Sequence, residues 1–244
     1  MNLLGIYSRL LGTFGPQGWW PTKNRFSPPE WEVCVGAVLT QSTNWKNAEK
    51  ALDNLEKERV LSPADVAGAK DGALEEAIRP SGFYRQKAER LRALAGFVMS
   101  FGGFGGFSEE VTRPQLLDVK GLGPETVDSI LLYAIGRPVF VIDAYTRRVF
   151  TRTGFCADGD YEGWRRLFES GLPEDAGIYR EFHALIVELA KKFCRKEPLC
   201  AGCPLMPGCE SAHPRGSPAP APMRSSPDGE PPRQPGGGAR PART

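Results

Sequence analysis

The feature that most narrows what this chain can fold into is the stretch 116–149, LLDVKGLGPETVDSILLYAIGRPVFVIDAYTRRV. Gly121 and Gly123 stand two apart, between an apolar run ending at Val119 and a helical pattern opening at Pro124. Glycine reaches backbone angles closed to other residues, so a tight turn can join two helices and leave its amides facing outward. Pro124 suits the first helical turn, where its missing N–H costs nothing. Val127, Ile130, Leu131, Ala134 and Ile135 then recur at helical spacing and predict one buried face. A short helix, a Gly-x-Gly turn and an amphipathic helix form a helix–hairpin–helix. Such a turn is either an ordinary connection or, through free amides at a helix N-terminus, a seat for a nucleic-acid phosphate. Beyond it, Asp143 follows the apolar run 139–142 and precedes a further helix, the place of an N-cap.

The second constraint is a run of cysteines. Cys194, Cys200, Cys203 and Cys209 are spaced C-x5-C-x2-C-x5-C, among prolines and glycines that suit sharp reversals. Four thiols within sixteen residues predict a metal centre, and four thiolates serve either an iron–sulfur cluster or zinc. Cys34, inside an apolar run, reads as a small buried hydrophobe. Cys156 carries no signal.

Helices are expected at 3–11, 31–40, 46–57, 63–68, 72–79, 85–100, 112–118, 124–136, 144–153, 161–170 and 176–193. FGGFGGF at 101–107 reads as a flexible connection. No period-two strand stands out, so the expected class is all-α. Lys plus Arg is 31 against 29 for Asp plus Glu, so net charge does not announce a nucleic-acid binder. DNA affinity would have to come from a local patch and backbone amides. Residues 211–244 hold nine prolines and five arginines with almost no large apolar residue, and read as a disordered basic tail. No run of 18 apolar residues and no signal-peptide pattern occurs, so no membrane partner and a cytoplasmic location are expected.

Four separated features, AVLTQSTNW at 37–45, SGFYRQKAERL at 81–91, the hairpin with its aspartate, and the cysteine loop, occur in one order. Together they resemble the helix-hairpin-helix DNA glycosylases of the endonuclease III superfamily over about residues 1–210. The resemblance implies a two-lobed all-α fold, with a six-helix lobe over about 25–135, a second lobe from 1–24 plus 136–193, and a cluster loop at 194–209. It implies Asp143 as the catalytic carboxylate and a [4Fe–4S] cluster, with zinc the alternative, on Cys194, Cys200, Cys203 and Cys209. The family more often has six residues in the first gap; this chain has five. The expected partner is double-stranded DNA bearing a damaged base, met by a monomer.

The lyases of the family carry a lysine two residues after the second hairpin glycine, where this chain has Glu125. A carboxylate cannot form a Schiff base, so the resemblance implies a monofunctional enzyme. Lys120, just before Gly121, stands at a different place. Trp19, Trp20, Pro21 and Trp45 are similar to the 3-methyladenine glycosylase III branch, where aromatics stack on the extruded base. That implies alkylated purines as substrates, whose positive charge favours an indole face. Read from the residues alone, the same tryptophans could be core plugs. That branch need not carry the cluster cysteines, whereas this chain has them.

By the same resemblance Gln41 fills the gap left by the flipped nucleotide, and Tyr84 contacts the lesion or its opposite strand. Gly121, Gly123, Lys120 and Arg147 are the remaining expected DNA contacts. Arg147 and Arg148 could equally be a solvated helix face, Gln41 a polar helix end, and His183 a structural residue. Two other readings stay open: a glycosylase for oxidised or mismatched pyrimidines, and a non-catalytic iron–sulfur DNA-binding protein.

Overall fold

The structure is a computed structural model that describes residues 1–212 apart from 21 and 71. The expected tail therefore lies, but for its first two residues, outside the described residues, as does Pro21. Twelve α-helices follow in order: α1 Leu3–Phe14, α2 Pro29–Leu39, α3 Trp45–Lys57, α4 Pro63–Gly68, α5 Ala73–Ala77, α6 Tyr84–Ser100, α7 Phe104–Glu110, α8 Arg113–Leu117, α9 Pro124–Ser129, α10 Ala144–Arg152, α11 Tyr161–Gly171 and α12 Ala176–Lys192. No strand occurs among the described residues, and no helix among them is long and apolar enough to cross a membrane.

The helix starts are written in side chains that accept the first free amides. Asn2, Asn44, Ser62, Thr112, Asp143, Asp160 and Asp175 each take a backbone N–H of their own first turn. Each such cap stabilises its helix by about 1 kcal/mol. α2 is buried from Trp31 to Leu39 and packs against α3, α6, α9 and the segment that continues α9. α12 is the second axis, packed on α1, α10 and that same segment.

Two local departures matter. The helix expected over 124–136 widens after α9 into a π-helix, Ile130–Ile135, closed by Gly136 in the left-handed region at φ 87°. Wider turns of this kind change which side chains face a neighbour, and they recur at functional sites. Here Tyr133 is delivered between α2 and α12. The second departure is FGGFGGF, which is not a flexible connection. Its second half enters α7, whose Phe107 is buried against Phe97, Phe101 and Phe104 with ring centroids 5.5–6.2 Å apart. Aromatic burial outweighs the helix-weakening glycines.

Candidate active site

A cavity of about 860 Å³ opens where four distant segments meet. The α1–α2 loop brings Trp19 and Trp20, the α2–α3 turn brings Gln41 and Trp45, α9 brings Glu125 and Thr126, and α10 and α12 bring Asp143 and His183. The three tryptophans are joined ring to ring: Trp19 to Trp20 at 5.6 Å and Trp20 to Trp45 at 5.7 Å, the latter nearly perpendicular. Tyr133 packs on Trp20 at 5.1 Å and on Trp19 at 6.1 Å. Trp20 Nε1 is buried without a hydrogen-bond partner. All three rings are only half-buried, so their remaining faces front the cavity.

The loop that carries Trp19 and Trp20 is tied down by a residue sequence reasoning missed. Glu32 on α2 is fully buried and accepts the backbone N–H of Lys23 (3.2 Å) and of Arg25 (2.9 Å). It also accepts the Arg25 guanidinium at 2.6–2.8 Å, and Arg25 reaches on to Asp53 of α3. A carboxylate inside an otherwise apolar helix must be paired to be tolerated, and that was the available signal.

Asp143 is the N-cap of α10: its Oδ1 accepts the Thr146 N–H at 2.7 Å. Its side chain is 13% exposed, and Oδ2 lies 3.5 Å from His183 Nε2. Burial pushes the carboxyl up, but His183 and the Thr146 amide outweigh it and hold Asp143 below the ordinary aspartate value. Glu125, across the cavity, is opposite in behaviour. Water reaches it through the cavity mouth, yet the surrounding protein and then the Asp143 charge raise its carboxyl. His183, read from sequence as structural, stands inside the site. Its Nδ1 is 2.6 Å from the Tyr133 hydroxyl.

The hairpin adjoins the cavity. Gly121 adopts φ 87°, and a Cβ there would lie 2.5 Å from Arg90 Cγ. Gln41 Nε2 donates to Thr126 Oγ1 at 2.9 Å and to the Gly121 carbonyl at 3.3 Å, while Arg90 donates to Gln41 Oε1. Gln41 is thereby docked on the hairpin. Gly123 caps α9 with no side chain. Lys120 is 86% exposed, pairs with Glu89 at 3.6 Å and does not line the cavity. Tyr84 and Arg147 are half-buried and also lie outside its lining, although the Arg147 charge bears on Glu125. Arg148 is no free surface arginine: it donates to the Cys194 carbonyl at 2.8 Å.

Cys194, Cys200, Cys203 and Cys209 line one small cavity beyond the end of α12. Arg152 braces it, donating to the carbonyls of Arg195 and Lys196, while its own carbonyl accepts from Cys209 Sγ at 3.2 Å and from Ser211 N–H at 3.0 Å. Among the described residues, no three His, Cys, Asp or Glu side chains are gathered tightly enough to hold one metal ion. Cys34 is fully buried, as its apolar setting predicts, and Cys156 is exposed.

Comparison with known proteins agrees with this architecture. Residues 35–174 match the family described as HhH-GPD superfamily base excision DNA repair protein. A protein of Methanocaldococcus jannaschii described as a DNA repair glycosylase is 44% identical over 215 residues, covering 84% of this chain and 94% of that protein. The Helicobacter pylori 3-methyladenine DNA glycosylase, solved with 1,N6-ethenoadenine bound, superposes with a TM-score of 0.69 at 34% identity, covering 79% of this chain and 98% of that one. An endonuclease III trapped as a covalent DNA intermediate shares the fold, with a TM-score of 0.71 at 23% identity over 85% of this chain and 93% of that one.

Proposed function

The chain belongs to the HhH-GPD superfamily of base excision DNA repair proteins, and from that premise we propose that it is a monofunctional DNA glycosylase for alkylated purines such as 3-methyladenine and 7-methylguanine. The observation that carries this reading is an Asp143 carboxylate held below its ordinary pKa in a cavity walled by Trp19, Trp20 and Trp45. An extruded base carrying positive charge gains from the electron-rich indole faces. Base departure leaves positive charge on the sugar, which the ionised Asp143 stabilises electrostatically, or Asp143 orients the attacking water. Glu125 offers no amine for a Schiff base, and Lys120 points to solvent, so strand cleavage is not part of this reading. The ethenoadenine-bound H. pylori enzyme supports a purine adduct as the class of substrate.

On this reading Gly121 and Gly123 offer amides to a DNA phosphate, with Lys120 and Arg147 adding charge nearby. Gln41 leaves its hairpin contacts to fill the space of the flipped nucleotide, and Tyr84 meets the DNA beside it. The body is a monomer of two lobes, 25–135 and 1–24 plus 136–193, with the cluster loop at 194–209.

Cys194, Cys200, Cys203 and Cys209 would hold a [4Fe–4S] cluster. The four cysteines line one small cavity beyond α12, and four thiols around one site are the donor set that such a cluster takes, as zinc also can. When bound, the cluster would cross-link the loop and take no part in base removal; Arg148 and Arg152 tie that loop to the helix that begins at Asp143.

The test is release of free base from methylated duplex DNA, scored with strand scission, for the wild type and Asp143→Asn. Release of methylated purine without scission, abolished in the variant, supports the proposal. No methylated base released removes the alkylpurine part and turns the search to oxidised or mismatched pyrimidines.

A further inference from the structure

We infer that His183 is the residue that positions the Asp143 carboxylate, and that Tyr133 fixes His183 for the task. This deepens the reading of Asp143 as the acting carboxylate and rests on it only for the kinetic arm of the test below.

His183 Nε2 is a buried polar atom without a hydrogen-bond partner, in a side chain 5% exposed. An unpaired buried donor costs about 1–3 kcal/mol, so its presence needs a reason. The nearest acceptor is Asp143 Oδ2 at 3.5 Å, an ion-pair separation that is too long for a good hydrogen bond. A shift of about half an ångström would close it.

The opposite ring nitrogen decides which hydrogen is there. The Tyr133 hydroxyl lies 2.6 Å from His183 Nδ1 and 3.4 Å from the Arg180 carbonyl. Its single hydrogen goes to the nearer acceptor, which leaves Nδ1 bare and places the proton on Nε2, facing the carboxylate. Were Nδ1 to carry the only ring proton, a bare Nε2 lone pair would face the Asp143 anion, which is unfavourable. An imidazolium also carries hydrogen on Nε2. The arrangement therefore aims a donor at Oδ2 in both favourable states.

The fold builds this chain deliberately. The π-helix carries Tyr133, α12 carries His183, and the N-terminus of α10 carries Asp143, each from a different element. The Thr146 N–H holds Oδ1 at 2.7 Å, and His183 faces Oδ2 at 3.5 Å. Trp19 covers the imidazole, ring centroids 5.7 Å apart, and so ties histidine position to the wall on which a base would stack. A base pressing on Trp19 then bears on the contact that orients the carboxylate.

The charged and titratable groups that line the cavity with Asp143 or bear on it are Lys46 on α3, Glu125 on α9, Tyr133 on the π-helix, Tyr145 and Arg147 on its own helix, and His183 and Lys191 on α12. Of these, His183 holds the carboxyl down against its burial. Removing it leaves only the Thr146 contacts on the side of the carboxylate, against burial and the Glu125 charge, which favour the protonated acid.

The experiment titrates the Asp143 carboxyl by ¹³C NMR, identified by its loss in Asp143→Asn, in the full-length wild type, His183→Ala, His183→Gln and Tyr133→Phe. In His183→Ala the titration moves to higher pH, and His183→Gln, whose amide N–H can occupy the Nε2 place, moves it back. Tyr133→Phe falls between. An unshifted titration in His183→Ala, or a glutamine variant no better than alanine, overturns the proposal whatever the substrate proves to be.

The kinetic arm uses whichever duplex the wild type processes. Loss of positioning lowers single-turnover base release about 10²-fold in His183→Ala and moves its acid limb upward. Binding to a duplex with a tetrahydrofuran abasic site stays within about twofold, since the DNA-binding surface is untouched. A purely structural histidine would weaken binding and rate together and leave the acid limb in place. If Asp143→Asn releases base as fast as the wild type, the catalytic reading fails while the NMR arm still decides the contact.

Discussion

Replacing Arg113 with alanine removes the partner of a fully buried carboxylate, and the structure sets the size of the effect. Asp128 on α9 has a side chain 0% exposed, gripped by Arg113 Nε at 2.6 Å and Nη2 at 3.1 Å, with Glu162 on the same guanidinium at 2.6 Å. Breaking a buried pair from one side typically costs about 3–5 kcal/mol, because the remaining charge keeps its desolvation penalty. At roughly 2–4 °C per kcal/mol for a body of this size, the melting temperature should fall by about 6–20 °C. The damage should not stay local. Tyr161 shares a hydrogen bond with Asp128 and accepts the Ile142 N–H at 3.3 Å, so the pair is linked to the backbone just before Asp143.

The sign with pH follows from the carboxyl. Burial raises Asp128 and Arg113 offsets this in part. A folded-state pKa above the unfolded value means the native state holds its proton longer, so stability falls as pH rises through that interval. Without Arg113 the folded value rises further. The deficit of Arg113→Ala should therefore be largest near neutrality and shrink as pH falls toward the ordinary carboxylate range. Urea unfolding followed by circular dichroism at several pH values reads this directly. Arg113→Ala combined with Asp128→Asn removes the stranded charge and should recover most of the loss. A single variant within about 1 kcal/mol of wild type, or a double variant no better than the single, would refute the reasoning.

Three further outcomes are expected. Gly121→Ala places a Cβ 2.5 Å from Arg90 Cγ at φ 87°; backbone strain of about 1–3 kcal/mol and displacement of Arg90 from Gln41 should weaken binding to duplex DNA by anisotropy, whereas unchanged affinity would sever the hairpin from DNA contact. Glu125→Lys puts an amine across the cavity from Asp143 and should gain a borohydride-trappable adduct with abasic DNA that the wild type lacks; no adduct would mean the position does not reach the sugar. Anaerobically purified protein should be brown, and Cys200→Ser should bleach it, while a colourless wild type with stoichiometric zinc overturns the cluster.

What the chain disclosed unaided was what local pattern can carry. Asp143 was legible because an N-cap is a sequence-local event, and the structure confirms the cap through Thr146. Of the hairpin glycines, Gly121 was legible for the same reason and does stand at positive φ, whereas Gly123 sits at φ −88°, extended backbone that any residue adopts. FGGFGGF was misread since glycine content speaks of a flexible chain, while the phenylalanines that order α7 gain their energy from Phe97 and Phe101 across a turn. His183 was missed on different grounds. α12 is buried on nearly every side, and periodicity cannot tell which of its buried positions meets Asp143, forty residues away.

Glu32 and Asp128 carry a signal that marks such sites. Both are carboxylates among apolar neighbours in helices, fully buried, and both turn out to anchor the scaffold around the cavity rather than its chemistry. Glu32 fixes the loop bearing Trp19 and Trp20; Asp128 fixes the hairpin and, through Tyr161, the approach to Asp143. A buried acid is too costly to persist unless it is paired, so each marks a place where the chain must be held to a definite geometry. The cavity is lined by the loop that Glu32 holds and by the helix that carries Asp128. Its sides are set by paired acids, while on the proposed reading the parts that shift when DNA binds are the weak contacts, Gln41 on Thr126 and the Gly121 carbonyl and the 3.5 Å His183–Asp143 gap. Substitutions at the anchors should therefore damage folding first, and substitutions at the weak contacts should damage rate first.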